Sequence, residues 1–246
     1  MANAINAMKN ITSDKIWFIK VAVLAIPVYA YLTEDNFIPM FFVTDLNFWV
    51  VLSLLYLGVS SVLIHRNLKN KVPILPSFFD IIDVIRRSIC SAIVALPGLA
   101  SLFAVLYLLH TYFQYLSENL MFWAHVLCIL ILLPFIIVPI VIYSVNGKLT
   151  DIFRVRNLQS ASGDFIISFI LFIIQYALTL GVFTYLVYAA FKSFYGENFI
   201  GIPILFAFVI TFTFLAVFSW AADLYEQVIP AIEEKQRRDK ALRETL

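Results

Sequence analysis

The chain is poor in charge. Only 13% of its 246 residues are Asp, Glu, Lys or Arg, against 62% hydrophobic. That excludes a soluble globular domain, because water could not solvate such a surface, and a mean hydropathy of +0.92 lies far from the range of one. Cysteine is almost absent. Cys90 and Cys128 both fall inside apolar runs, where they read as small hydrophobic thiols and exclude a secretory disulfide framework. A net charge of +1 without a clustered basic surface excludes a dedicated nucleic-acid binder. Also missing are a glycine-rich phosphate loop, a nucleophile elbow, an HExxH motif and paired cysteines. No Asp, Glu, Lys or Arg occupies the middle of any apolar run. An intramembrane enzyme or ion-coupled transporter keeps acids and bases at that depth, so neither an enzyme nor a cofactor is expected.

What the chain does have is grease in long pieces. A spanning helix needs about 20 mostly apolar residues at 1.5 Å rise each. Six stretches qualify: Ile16 to Leu32, Phe48 to Ile64, Ser88 to Leu109, Leu120 to Tyr143, Phe165 to Phe191, and Phe199 to Ala222. No small-x-small cleavage pattern follows the first before Glu34 and Asp35, so it reads as an uncleaved span. Lys20 interrupts it and is expected to snorkel toward the headgroups. The 24 Phe and 12 Tyr suit lipid-facing and interfacial positions.

The cations order these spans. Of 17 Lys and Arg residues, all but Lys192 lie at the N-terminus, in the second or fourth gap, or in the C-terminal tail. The second gap carries Arg66, Lys69, Lys71, Arg86 and Arg87, and the fourth carries Lys148, Arg154 and Arg156. By the positive-inside rule these gaps and both termini face the cytoplasm. The expected fold is therefore an all-α, polytopic helix bundle of the cytoplasmic (inner) membrane, with six transmembrane helices, N-in and C-in. Residues 1–228 would form the membrane domain and 229–246 a charged cytoplasmic tail.

Both cytoplasmic gaps contain a short amphipathic stretch. In PSFFDIIDVIRR, Ser77 and Asp80 make a capping box, and Phe78, Phe79, Ile81, Ile82 and Ile85 supply the apolar side of a helix expected to lie at the membrane surface. GKLTDIFRVRNL is the second copy, with Leu149, Ile152 and Phe153 beside Asp151, Arg154 and Arg156. Within the spans, Pro97-Gly98, Pro134 and Pro139 remove backbone donors. Such positions either open a binding site or are absorbed by bundle packing. After Ala222 the chain turns polar, and Pro230 is expected to break the helix. Beyond it, Glu233 with Arg237 and Glu234 with Arg238 stand four apart, acid first, which supports a solvated helix that can serve as a docking tail.

Few side chains are left for chemistry. Gln175 in the fifth span is a candidate substrate contact or an interhelical packing amide. Ser60, Ser61, Thr179, Thr184, Thr211 and Thr213 are expected to bond between helices or to the backbone. His110 and His125 flank the third gap with Glu118 between them, which allows an outer metal site or plain interfacial hydrogen bonding.

The stretch GVSSVLIHRNLKNKVPILPSFFDIIDVIRRS, the stretch NGKLTDIFRVRNLQSASGDFIISFI and the ending FSWAADLYEQ carry a resemblance. Over Val51 to Gln227 their order resembles the membrane family called domain of unknown function 4013 and, more distantly, membrane regions attached to some glycerophosphodiester phosphodiesterases. Phe78 and Phe79 stand where that family usually has a tryptophan. The resemblance implies a bacterial or archaeal multi-pass protein, and a location more than a role.

Three functions follow as expectations. The first is a non-enzymatic subunit or scaffold of a membrane assembly, with lipids and other subunits or further copies of the chain as partners. The second is a permease-like or lipid-handling protein. A membrane-permeabilising effector is the third.

Overall fold

In a computed structural model, residues 3–33, 46–69, 75–113, 118–146, 167–196 and 199–244 are described, and every regular element among them is helical. The elements are α1 (Ala4–Thr12), α2 (Trp17–Thr33), α3 (Leu46–Leu68), a 3₁₀ turn (Phe78–Asp80), α4 (Ile81–Tyr112), α5 (Glu118–Asn146), α6 (Ile167–Tyr195) and α7 (Gly201–Glu244). Among the described residues, four helices are long and apolar enough to cross a membrane: α4, Leu120–Val145 of α5, α6, and Gly201–Glu226 of α7. Trp17–Ala30 and Leu52–Leu68 are shorter apolar helices. The chain is thus an all-helical, multi-pass membrane protein.

Local chemistry sets the helix ends. The Asn3 side chain accepts the Asn6 N–H at 2.7 Å and starts α1. Asp14 Oδ1 accepts the Ile16 N–H at 3.1 Å just before α2. Ahead of α4, the capping box forms as the sequence predicts: Ser77 Oγ accepts from Phe79 N at 3.2 Å, and Asp80 Oδ2 accepts from Ser77 N at 2.6 Å. Gly196, at φ +86°, closes α6, a backbone region that only glycine enters cheaply.

Two expectations change, and one of two open alternatives is seen. The first amphipathic stretch is not a separate surface helix, because the 3₁₀ turn runs straight into α4, whose 32 residues extend about 48 Å. Phe79, Ile82 and Ile85 point away from the protein, and Val84 and Ser88 on the opposite face are buried. No proline or glycine separates Ile81 from Ser88, so nothing stops the helix. Of the two readings of Pro97-Gly98, packing is the one seen, since both residues lie inside an unbroken α4. A Cβ on Gly98 would come 2.8 Å from the Phe135 carbonyl oxygen, so the small residue serves the α4–α5 crossing rather than a break. Pro230 lies within α7, which continues to Glu244. Losing one N–H does not end a helix whose following residues, EEKQRRDKALRE, are strong helix formers. The second amphipathic copy, with Ile152 and Phe153, lies outside the described residues.

The core sits at one end. α4 buries Val84, Ser88, Ser91, Val94 and Ala95, all in its first half. α5 buries Ile136, Ile137, Ile140 and Val141 from its second half, and α6 buries Phe169, Phe172 and Tyr176 from its first. These meet Leu63, Ile64 and Trp220 in one cluster, where the Trp220 ring lies 5.1 Å from Phe172 and 5.4 Å from Phe169. At the opposite end Phe103, Tyr107, Phe122, Trp123, Phe194 and Tyr195 are exposed.

Candidate functional site

Polar side chains gather at the packed end in three clusters. In the first, Lys20 is buried rather than snorkelling: its Nζ lies 2.6 Å from Asp14 Oδ2 and donates to the Leu75 carbonyl at 3.1 Å. The sequence predicted headgroup contact because it could not show Asp14 folding back across the α1–α2 turn. Arg66 donates to the same carbonyl at 3.2 Å and to Asp80 Oδ2 at 2.7 Å. Partial burial raises the Asp80 pKa, but the Ser77 N–H and the Arg66 and Lys20 charges outweigh it and hold the carboxyl below its ordinary value of 3.8. The Leu75 carbonyl thereby joins its own segment to α2 and α3.

The second cluster ties α1, α3 and α7. Asn67 Nδ2 donates to Asp223 Oδ1 at 2.8 Å and to the Ser219 carbonyl at 3.3 Å, and Asn10 Nδ2 lies 3.3 Å from both Asp223 oxygens. In the third, Ser61 and Ser144 share a hydroxyl contact of 2.8 Å, and the Ser144 carbonyl meets His65 Nδ1 at 3.0 Å and Arg87 Nη1 at 3.5 Å. Each cluster joins two or more helices. The arrangement is that of a clamp, and its hydroxyls and amides are spent on structure.

The N-terminal helix is part of this end. Ala4, Ala7 and Ile11 are fully buried against the bundle, and α1 packs on α7. At its start the Ala4 N–H donates to Gln175 Oε1 at 3.2 Å. Gln175 is thus an exposed residue bonded to the N-terminal helix. Sequence reasoning missed Asn10, Asp14, Asn67 and Asp223. The available signal was a buried-type cation, Lys20, in an apolar run with an acid six residues before it.

The expected hydroxyl roles are seen directly. Ser60 donates to the Tyr56 carbonyl at 2.7 Å, Thr184 to Leu180 at 2.7 Å, and Thr213 meets Tyr176 OH at 2.9 Å. Tyr56 OH bonds the Leu24 carbonyl and faces Thr211 Oγ1 at 3.4 Å. His125 Nδ1 lies 2.7 Å from the Met121 carbonyl, and His110 sits in the last turn of α4. Among the described residues no group of three His, Cys, Asp or Glu could hold a metal ion. Phe78 is in the 3₁₀ turn. Glu233, Glu234, Arg237 and Arg238 have helical backbone within α7.

The other half holds an apolar cleft of about 360 Å³ between α6 and α7. It lies where α6 departs from regular α geometry, in a π turn over Ala177–Gly181. Such turns insert one residue and widen the helix locally. No sequence signal announced it. No protein-family model, curated protein or solved structure matches the chain.

Proposed function

We propose that the protein is a non-enzymatic subunit or scaffold of an inner-membrane assembly, with six spans and both termini cytoplasmic. The observation that carries this reading is α7, a single helix of 44 residues and about 66 Å. The hydrocarbon core takes about 30 Å. Past Glu226 the helix runs about 27 Å further, and that extension carries Lys235, Arg237, Arg238, Lys240 and Arg243. A rigid charged rod fixed to the clamp suits docking of a cytoplasmic partner. The cations on it, and those of the gaps, support the cytoplasmic assignment.

A photo-crosslinking residue in place of Gln236, in protein drawn from its membrane in mild detergent, tests the docking. One discrete adduct is expected, abolished by Arg237→Glu with Arg238→Glu. Recovery only as an isolated monomer would remove the reading. Reporter fusions at Asn36, Asn70, Asn119, Asn157 and Asn198 check the topology: Asn70 and Asn157 should report cytoplasm, the other three the opposite side. Failure of neighbouring fusions to alternate would overturn the six-span arrangement.

A second reading, lipid handling or permeation, is favoured by the π turn and its cleft, since interrupted helices line many transport paths. Reconstituted liposomes should then scramble lipid or pass solute, with a rate changed by replacing Gln175 or Pro134. Flux equal to empty liposomes rejects it.

A further inference from the structure

We propose that the cleft beside the π turn holds one acyl chain of a bilayer phospholipid. The cleft is walled by Tyr176, Leu180, Gly181 and Tyr188 on α6 and by Phe206 and Val209 on α7. Between Tyr176 and Tyr188 the helix rises about 18 Å, which matches the roughly 15 Å depth of one leaflet's hydrocarbon. At about 360 Å³ it falls at the small end of ligand pockets, which suits one chain rather than a whole lipid.

The chemistry of the wall selects the occupant. Tyr176 OH already meets Thr213 Oγ1 at 2.9 Å, and Thr184, also on the wall, donates to the Leu180 carbonyl at 2.7 Å. Those two hydroxyls are spent inside the protein, and the surface that the cleft presents is almost wholly apolar, so it offers an occupant rings and methyl groups and asks for no hydrogen bond in return. Both walls belong to helices apolar enough to cross a membrane, and the exposed lining residues Tyr185 and Phe206 place the mouth against lipid. The surrounding solvent is therefore itself the ligand. Gly181 keeps the space open: a Cβ there would meet nothing nearer than Ala177 Cβ at 3.9 Å. The inference is independent of both functions above. A held chain serves a scaffold as structural lipid and a lipid-handling protein as cargo.

The test uses the full chain in phosphatidylcholine liposomes doped with a lipid bearing a diazirine midway along one acyl chain. After illumination, peptide mapping should find labelling concentrated on Tyr188 and Phe206 relative to Phe103 and Tyr107 of α4, which are merely exposed. Gly181→Leu puts a side chain into the cleft, with its Cβ in open space. It should lower the cleft labelling about tenfold, as expected for displacing two buried methylenes, and leave α4 labelling unchanged. A thermal melt in the same liposomes verifies that this variant is folded, and Gly181→Val is the second filling variant should the leucine perturb it. Equal labelling of cleft and α4, or undiminished labelling in the folded variants, would show ordinary annular lipid and overturn the proposal.

Discussion

The two ends of this bundle are built by different means. At the clamp end, α1, α3, α4, α5, α6 and α7 converge on a ring-filled core around Trp220, and polar groups cross between helices in three clusters. At the far end the same helices expose Phe103, Tyr107, Trp123 and Phe194, and α6 relaxes into a π turn beside a cleft. In lipid, hydrophobicity does not drive one helix against another, since acyl chains are as apolar as leucine. Helices associate where small residues permit close approach or where polar groups require partners. Among the described residues the three polar clusters and the close approach at Gly58 lie at the clamp end, while the cleft walls further along meet through the Tyr176–Thr213 hydroxyl contact. The difference teaches that burial here follows hydrogen bonding and steric fit, with grease common to the two ends.

The sharpest way to break the comparison is to unpair the charge buried in the clamp. Lys20 is 5% exposed and Asp14 is 4% exposed, and their contact is 2.6 Å. Replacing Lys20 by Met leaves the Asp14 carboxylate without its cation, which typically costs about 3–5 kcal/mol. Adding Asp14→Asn keeps the oxygen that caps Ile16 and removes the orphaned charge, so the double variant should recover most of the loss. Thermal unfolding in detergent across the four-protein cycle measures it. Additive losses would show that the two groups do not act as a pair.

The next test makes one substitution at both ends. Gly58 lies so close to α4 that a Cβ would overlap Ser88 Oγ and the Val84 carbonyl oxygen. Gly58→Ala is therefore expected to destabilise by about 1–3 kcal/mol through overpacking. At Gly181 the space is open, and the helical φ of −63° suits alanine, so Gly181→Ala should be neutral or stabilising by up to about 1 kcal/mol. Equal losses at the two sites would mean that the far end is as tightly fitted as the clamp.

How much of this was written in the sequence depends on the range of the interaction. Membrane character and helical class come from long apolar runs. The Ser77–Asp80 capping box is set by residues three apart, and each was legible. The bonds of Ser60 and Thr184 to carbonyls four residues back are equally local. What failed was the placing of Lys20 and the surface helix, because each depends on partners brought in by folding: Asp14 and Leu75 for the first, an uninterrupted α4 for the second. Gln175 stood out as a substrate contact or a packing amide, but the partner seen for it, the Ala4 N–H, lies 171 residues away. The π turn left no trace in a run of Ala, Leu, Thr and Gly that is equally at home in an α-helix.

The smallest expected effect lies at the rim of the clamp, where Arg66 and Asp80 meet with side chains 19% and 29% exposed. Solvent screens such a pair, so its contribution is about 1 kcal/mol or less. Its sign with pH follows from the lowered Asp80 pKa. A carboxyl held below its ordinary 3.8 adds stability that is fully present above that value, and the addition is lost as pH falls through the lower, folded value. Melting temperature should therefore drop a little further below pH 4 in the native chain than in Asp80→Asn, which has no proton to take up there. If the two curves stay parallel through that acid range, the capping carboxylate contributes no charge-dependent stability. The polar end would then be held by its buried clusters alone.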